Sequence, residues 1–289
     1  MRNYYTRACN FYHGRAARRL IKLNKAFPLN GKKNIAFDQL EIFSREKRKV
    51  KTRFIHIKEI NTLNKNIKKI VKYDLKKIIS KRRNFLKNIN FNRTTIMGVL
   101  NLTPDSFSDG GKFNKNKEGL KHALKMFKSG ANIIDVGGES TRPGSKAINE
   151  KLEWKRIEKF IKSANKKIPV SLDTRKSEIM KKGIKFGVKI INDVSGLGYD
   201  LETINLLKKY KIPFVIQHAQ GTPENMQRKP YYKNELLEIY DFFEEKIKFS
   251  LKQKYNKKLI IVDPGIGFGK NLNHNLRIMS KISIFHSLG

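Results

Sequence analysis

Residues 95–111 read TIMGVLNLTPDSFSDGG, and no other stretch of the chain says more about its architecture. The first six residues form an apolar run that is typical of a buried strand bounded by turn residues. The following residues supply an amide, hydroxyls, two carboxylates and a flexible glycine pair. A parallel α/β enzyme presents side chains on such loops, at the carboxyl edge of its sheet. Because these groups suit a hard cation and a phosphate-bearing ligand, we predict a functional loop rather than an ordinary surface turn.

Beyond residue 94, apolar strand patterns alternate with helical patterns. The strand candidates are short and rich in Ile or Val, as expected of strands covered on both faces. This alternating order with short loops predicts a parallel sheet with right-handed crossovers. The predicted strands are 95–100, Asn132–Val136, Pro169–Leu172, Lys189–Ile191, Pro213–Ile216 and Leu259–Val262, and the predicted helices lie near 117–129, 149–165, 176–186, 200–210, 232–255 and 272–285.

A polar residue stands at the carboxyl end of each predicted strand: Asn101, Asp135, Asp173, Asn192, His218 and Asp263. In a (β/α)8 barrel the loops after all strands converge on one mouth, whereas an open doubly wound sheet uses fewer strands. We therefore predict an α/β fold of the (β/α)8 TIM-barrel type. Six strand–helix units are recognisable before Gly289, so we expect two to be absent. An open barrel of this kind is expected to be unstable or inactive, and a fragment and a shortened protein stay alternatives.

The composition indicates a globular protein, with 39% hydrophobic and 30% charged residues among 289 and no apolar run as long as a membrane span. The single cysteine, Cys9, excludes an internal disulfide and a cysteine-based zinc site, and it fits a reducing compartment. The beginning of the chain lacks the apolar segment of a secretory signal and the serines of a transit peptide. We therefore expect a cytoplasmic protein with no membrane partner.

The net charge of +38 is spread unevenly, since residues 1–93 hold 27 Lys and Arg against 5 Asp and Glu. A nucleic-acid-binding arm is one interpretation of this excess. The other is compositional, because the chain is rich in Lys, Asn and Ile together and lacks the interleaved aromatic residues of a base-stacking surface. We favour the compositional interpretation, so a nucleic-acid partner is not expected.

Residues 1–93 are predicted to form a basic N-terminal extension that is separate from the barrel domain over 94–289. Ile35–Phe43 and Val50–Ile57 indicate a hairpin, and a basic helix over about Leu63–Ile89 follows. Leu63, Val71 and Leu86 are among the residues that would line one apolar face of this helix.

Three strand-end residues suit the recognition of a planar heterocycle. Asp173, Asn192 and Asp263 each follow an apolar strand, where a carboxylate must be hydrogen-bonded, paired or metal-bound. Two carboxylates and an amide that face one cavity suit a ring edge with several N–H donors, because a carboxylate accepts a bidentate pair. The alternative for each residue is a structural role as the cap of the next helix.

A second glycine-rich loop, GGESTRPG, occupies residues 137–144. Thr141 and Arg142 in this loop can hold an anion, and Asp135 and Glu139 are expected to orient these donors or to pair with Arg142. The segment GIGFGK at 265–270 fits neither the phosphate-loop spacing nor G-x-G-x-x-G. Nucleotide binding by that segment is therefore not expected.

Six blocks in family order resemble the dihydropteroate synthases of bacterial folate synthesis. They cover about two thirds of the chain and read MGVLNLTPDSFSDGG (97–111), IIDVGGESTRPGS (133–145), PVSLDTRK (169–176), INDVSG (191–196), QHAQGTPENMQ (217–227) and IIVDPGIGFGKN (260–271). The resemblance implies a (β/α)8 barrel that joins 4-aminobenzoate to 6-hydroxymethyl-7,8-dihydropterin diphosphate and releases pyrophosphate. It also implies Mg²⁺ as the cofactor.

The resemblance assigns the diphosphate chemistry to the two glycine-rich loops. Asn101 would be the Mg²⁺ ligand, and Thr141 would meet the diphosphate. Asp105 and Arg142 are the expected catalytic residues, with Arg142 and Mg²⁺ stabilising the departing diphosphate. The loops over 101–111 and 137–145 would close over the site and exclude water.

The resemblance assigns the pterin to Asp173, Asn192 and Asp263, in agreement with the donor-rich ring expected from the residues alone. Two features depart from the family pattern. Gln217 and Ala219 stand where the family commonly has Met, so the packing beneath the pterin is expected to differ. The family's Ser-Arg-Lys and Arg-x-His blocks are absent, which puts a pterin-contacting lysine and an anion-binding arginine in doubt.

Three functions are compatible with these observations: a dihydropteroate synthase, a truncated non-catalytic pterin-binding relative, and a basic RNA-associated protein that uses residues 1–93. Pterin-dependent methyltransferases share the fold but fit less well, because the loops at 101–111 and 137–144 suit diphosphate chemistry. The oligomeric state stays open at this level, with a homodimer as one candidate.

Overall fold

The computed structural model describes residues 2–46, 49–82, 84–86, 89–91, 93–103, 116–164 and 166–289. These residues form two compact units, and both units are discontinuous in sequence. The first comprises Met1–Arg83, Tyr232–Glu244 and Leu272–Gly289, and the second comprises Asn84–Tyr231 and Glu245–Asn271. The domain boundary expected near residue 93 stays a prediction. Every helix in the described part of the chain is too short or too polar to span a membrane.

The first unit contains a four-stranded antiparallel sheet built around β3 (Ile35–Arg45). β3 pairs with β1 (Tyr4–His13), with the short β2 (Phe27–Pro28) and with β4 (Val50–His56). The predicted hairpin of β3 and β4 is therefore confirmed. Strand β1 was not expected, because its sequence YYTRACNFYH has no simple alternation of apolar and polar residues.

Two helices accompany this sheet, α1 (Gly14–Lys22) and α2 (Lys65–Ile79). Asn64 caps α2 by accepting a hydrogen bond from the backbone N–H of Ile67 at 3.0 Å. The prediction that this helix reaches Ile89 is wrong, because the helix ends at Ile79 and the backbone of Ser80 is extended. Helical spacing continues past that point in the sequence, but Ile89 is buried among strand residues of the second unit instead.

The first unit is completed by residues from the far end of the chain. Tyr5 packs edge-on against Tyr240 with ring centroids 5.1 Å apart. The hydroxyl of Ser283 donates a hydrogen bond to the carbonyl oxygen of Ala8 at 2.8 Å. Nη2 of Arg2 donates to both carboxylate oxygens of the fully buried Asp74, at 2.7 and 2.8 Å. Residues 1–83 therefore share one core with Tyr232–Glu244 and Leu272–Gly289.

The second unit contains the predicted parallel sheet of six strands, in the order β10-β9-β8-β7-β6-β5. The alternation of strand and helix is confirmed, with boundaries shifted by a few residues. The strands are β5 (Met97–Asn101), β6 (Ile133–Gly137), β7 (Val170–Asp173), β8 (Ile190–Asp193), β9 (Phe214–Gln217) and β10 (Ile260–Asp263). The helices that follow them are α3 (Asn116–Lys128), α4 (Glu150–Ala164), α5 (Ser177–Lys185), α6 (Thr203–Tyr210), α7 (Glu235–Lys252) and α8 (Leu272–Ser280).

The expectation that all six strands are covered on both faces is wrong for the outer two. The four central strands are almost fully buried, whereas Val99 on β5 is 59% exposed and β10 is only half-buried throughout. β5 and β10 are the two edges of the sheet, and in the described residues they do not pair with each other. The architecture is that of the TIM-barrel type with six strands in one sheet.

One face of this sheet divides into an apolar and a polar half along the strand direction. At the amino ends of the strands, Ile133, Ile190 and Val215 form a buried cluster with Ile89. In the strand register, the residues two positions further on from these three are Asp135, Asn192 and Gln217. Alternate residues of a strand point to the same face, so the apolar cluster supports a polar rim at the carboxyl edge.

Candidate active site

Five of the predicted strand-end residues form a polar row along the carboxyl edge of the sheet. Asn101, Asp173 and Asn192 share one register, Asp135 lies two positions before it, and Asp263 lies two positions after it together with Gln217. Parallel register places Asn101 beside Gly137, Gly137 beside Asp173, and Asp173 beside Asn192. Asp263 lies beside Gln217 at the end of the neighbouring pair of strands. Residues in register on parallel strands share a face, so the structure brings Asn101, Asp173, Asn192 and Asp263 to the same edge.

A hydrogen bond within this row links β6 to β8, because the side-chain amide of Asn192 donates to Asp135 at 2.9 Å. Two further polar atoms in the row, Oδ1 of Asn192 and Nε2 of Gln217, are buried, and neither has a hydrogen-bond partner among the residues that the structure describes. Buried polar atoms are nearly always hydrogen-bonded, so a set of unmet donors and acceptors in one place indicates a ligand position.

Electrostatic repulsion is concentrated at this row. Burial and then the charge of Asp135 raise the pKa of Asp173 well above its ordinary value. Burial also raises the pKa of Asp135, with a smaller contribution from Asp263, although hydrogen bonds from Ser171 and Asn192 oppose the shift. A ligand that brings N–H donors or positive charge to these carboxylates would relieve the repulsion.

The second glycine-rich loop follows β6 directly, and its Thr141 and Arg142 are both partly exposed. The loop is closed on itself by the hydroxyl of Ser145, which donates to the carbonyl oxygen of Ser140 at 2.7 Å. Glu139 was expected to orient the loop or to pair with Arg142. In the described part of the chain it pairs with Arg175 at 2.8 Å and with Lys176 at 2.9 Å instead.

Asn101, Leu102 and Thr103 are the residues of the first glycine-rich loop that the structure describes. Asn101 ends β5 and is partly exposed at the carboxyl edge. Asp105, the other expected catalytic residue, lies outside the described residues. In the ranges that the structure describes, no three His, Cys, Asp or Glu side chains are grouped as ligands of a metal ion.

The loop after β10 is held by Lys270, which is buried. Its ammonium donates to the carbonyl oxygens of Phe268 at 2.8 Å and His218 at 3.1 Å, and it lies 3.1 Å from Nδ1 of His218. Burial lowers the pKa of Lys270 to about 8 and that of His218 to about 3, so the imidazole is neutral and accepts. Gly265 has a φ of +63°, and a Cβ there would run into the carbonyl oxygen of His218.

Sequence reasoning assigned no ligand contact to Asp135 or Gln217, which belong to the polar row. A signal for Asp135 was present, since IIDVG places a carboxylate inside an apolar strand, two residues before the expected edge. Gln217 was noticed only as a departure from a family pattern. The sequence alone contains no signal for the burial of Lys176 and Glu153 as a pair, because one begins α5 and the other lies within α4.

The sequence matches one protein family and its curated members. The family model described as pterin binding enzyme matches residues 97–289. Dihydropteroate synthase of Bacillus subtilis (strain 168) is 39% identical over 199 residues, which cover 68% of this chain and 67% of that protein.

Solved structures of dihydropteroate synthases resemble this chain in fold. The crystal structure of Yersinia pestis dihydropteroate synthase with a sulfonamide drug complex has a TM-score of 0.67 and 36% identity, covering 69% of this chain and 73% of that one. Xanthomonas albilineans dihydropteroate synthase with 4-aminobenzoic acid has a TM-score of 0.61 and 32% identity, covering 67% and 69%. The chain has a parallel sheet with a polar row at its carboxyl edge, and its residues 97–289 match the family model. It therefore belongs to the pterin binding enzyme family, and within it to the dihydropteroate synthases.

Proposed function

We propose that this transferase condenses 6-hydroxymethyl-7,8-dihydropterin diphosphate with 4-aminobenzoate to give 7,8-dihydropteroate and pyrophosphate. The amine nitrogen forms a bond to the exocyclic methylene carbon of the pterin, and the bond between that carbon and the diphosphate oxygen breaks. The diphosphate leaves as pyrophosphate, and the amine loses one proton. A transition state of this kind needs stabilisation of positive charge on the methylene and of negative charge on the leaving group.

The observation that carries the proposal is the polar row, with its raised carboxyl pKa values and unmet buried atoms. A pterin offers a guanidine-like edge of N–H donors beside a ring carbonyl. In the proposal Asp173 and Asp263 accept from that edge, and Asn192 supplies an acceptor and a donor. The same carboxylates stabilise the positive charge that develops on the methylene.

The leaving group is assigned to the two glycine-rich loops. Thr141 would donate to the diphosphate, and the Arg142 guanidinium would stabilise its charge as the carbon–oxygen bond breaks. Asp105 is proposed as the second catalytic residue. Closure of the two loops would exclude water, so that the amine competes with no other nucleophile.

Mg²⁺ is proposed as the cofactor, with Asn101 as its protein ligand. The donor set fits, because the side-chain oxygen of Asn101 is a hard ligand at the carboxyl edge. Mg²⁺ commonly binds through one or two protein oxygens together with substrate phosphates and water. When bound, the ion would neutralise charge on the diphosphate.

Asp173→Asn tests the assignment of the pterin. We expect pterin affinity to fall by about 100-fold, because an acceptor of two charge-assisted hydrogen bonds becomes an amide that cannot accept both. The midpoint of thermal unfolding should hold or rise, since the change removes a buried like charge. Calorimetric titration with a pterin measures the first quantity, and thermal melting measures the second.

Glu178→Gln is the matched control, since Glu178 is half-exposed and its ion pair with Lys181 lies on the surface. It should change neither quantity. Unchanged pterin affinity in Asp173→Asn would contradict the assignment.

The cellular setting stays a proposal as well. Cys9 is a buried free thiol, which fits the reducing conditions of the cytoplasm. A homodimer is proposed for the assembly, and sedimentation of the purified protein measures it.

A further inference from the structure

The buried side chain of Lys176 contacts the second glycine-rich loop. The ammonium of Lys176 donates to Glu153 at 2.6 Å, to the carbonyl oxygen of Ile148 at 2.7 Å and to Glu139 at 2.9 Å. Its side chain is 4% exposed, and that of Glu153 is fully buried. An ammonium has three N–H donors, so all of them are used.

These contacts join segments that carry different parts of the proposed site. Lys176 lies three positions after Asp173, at the start of α5. Glu139 and Ile148 stand on either side of Thr141 and Arg142 in the chain. The Lys176 ammonium therefore fixes the loop with the anion-binding candidates against the strand with a pterin-binding candidate.

Neighbouring contacts extend the same connection. The hydroxyl of Thr174 donates to Glu153 at 2.5 Å, and its backbone N–H donates to the carbonyl oxygen of Asn192 at 3.1 Å. Arg175 pairs with Glu139 and stacks over the ring of Tyr199 at 4.3 Å. Residues 174–176 thus touch the segments that follow β6 and β8 as well as helix α4.

The cluster pairs two cationic with two anionic side chains, although burial still raises the pKa of Glu153 above its ordinary value. Burial alone would raise the pKa of Glu139, but hydrogen bonds from Arg175 and Lys176 hold it below its ordinary value. Burial would lower the pKa of Lys176, and Glu153 and Glu139 raise it instead. Buried ion pairs add little net stability compared with packed apolar side chains, whereas they do specify one geometry. The cluster is therefore better explained by the position it imposes than by the stability it adds.

We propose that Lys176 is a positioning residue, which holds the loop carrying Thr141 and Arg142 at the distance from the pterin pocket that the diphosphate requires. The proposal rests on the proposed function. Lys176 touches no reacting atom in this assignment. It acts through Glu139, and its loss should misplace the loop while leaving Asp173, Asn192 and Asp263 in position.

The test compares two ligands in Lys176→Met: 6-hydroxymethylpterin, which lacks the diphosphate, and 6-hydroxymethylpterin diphosphate. We expect affinity for the first to stay within about threefold of wild type. Affinity for the second should fall at least about tenfold, and kcat for dihydropteroate formation should fall by about 100-fold, because a loop displaced by about 1 Å costs that much.

Lys181→Met is the matched control. Lys181 lies on α5 as well, but its ion pair with Glu178 is exposed, so both affinities and kcat should stay at the wild-type level. If Lys176→Met does not fold, Glu139→Gln serves instead. The glutamine keeps an oxygen that accepts from the backbone N–H of Ile148, and the loss of charge weakens the contact with Lys176. The same split between the two ligands is expected, with a smaller amplitude.

Equal weakening of both ligands, in proportion to a lower melting temperature, would overturn the positioning role and leave a structural one. Unchanged affinities and kcat would also overturn it. The wild-type protein is assayed first. If it binds pterin and forms dihydropteroate, a negative result in the variants counts against Lys176 alone, whereas a wild type that does neither would overturn the proposed function on which the inference rests.

Discussion

Two carboxyl groups at the proposed pterin site reduce the stability of the folded protein. Asp135 and Asp173 lie on neighbouring strands, and the pKa of each carboxyl is raised, in both cases mainly by burial. A carboxyl whose pKa is higher in the folded than in the unfolded state costs stability as pH rises above its unfolded value. Such a cost is typical of positions selected for ligand binding, since the ligand repays it on arrival.

Pterin binding is expected to release protons. N–H donors on the ligand favour the charged carboxylates, so binding lowers the pKa of Asp173 and Asp135 from their raised values. Affinity should therefore weaken as pH falls through the raised pKa values of these carboxyls in the free protein, by at most about tenfold per pH unit for each proton released. Calorimetric titration in buffers with different ionisation enthalpies measures the number of protons directly.

Asp135→Asn is the informative companion variant, because an amide oxygen still accepts the hydrogen bond from Asn192. It should bind pterin with fewer protons released. Heats that are the same in every buffer, together with an affinity that does not change with pH, would refute the coupling.

At the scale of elements, the strands were predicted more accurately than the ends of the helices. A short apolar run rich in Ile or Val that alternates with helical patterns is typical of a strand in a parallel α/β sheet, so local sequence locates each strand. Helix α2 ends at Ile79 although its spacing continues further, because Ile89 finds a better apolar environment against the sheet of the second unit. Only the tertiary packing decides whether Ile89 is buried on a longer α2 or against that sheet.

Helix α2 is anchored by the ion pair of Arg2 and Asp74, and we expect Asp74→Ala to destabilise the protein by about 3 kcal/mol. The change leaves the mostly buried Arg2 guanidinium without its nearest carboxylate. Urea unfolding measures the loss. Glu46→Ala removes an ion pair with Lys51 in which both side chains are at least half-exposed, and should cost less than about 0.5 kcal/mol. Equal effects of the two changes would contradict the argument.

At the scale of the whole molecule, the N-terminal residues do not form a unit by themselves. Their core is shared with segments from the far end of the chain, including the fully buried Tyr240, Phe243 and Ile284. The Lys281 ammonium also pairs with the buried Glu41 of β3. The basic composition of residues 1–83 therefore accompanies a structural role in the first unit.

Removal of residues 1–83 should abolish cooperative unfolding and cause aggregation. Exposing a single large side chain such as that of Tyr240 costs about 2 kcal/mol, and several are exposed together. Differential scanning calorimetry and light scattering of the chain that begins at Asn84 measure both effects. Residues 1–83 supplied as a separate polypeptide should restore solubility, and a shortened chain that melts like the parent would show that the extension is dispensable.

The sequence by itself determined the α/β class, the six parallel strands and the strand ends on which Asp173, Asn192 and Asp263 stand. These follow from local period and from the rule that parallel strands share a carboxyl edge, so no long-range information is needed. Only the tertiary structure decided that Glu139 pairs with Lys176, that Asn192 binds Asp135, and that β1 joins the sheet of the first unit. Those partners lie tens of residues apart, and their choice depends on which charges and apolar surfaces are buried together.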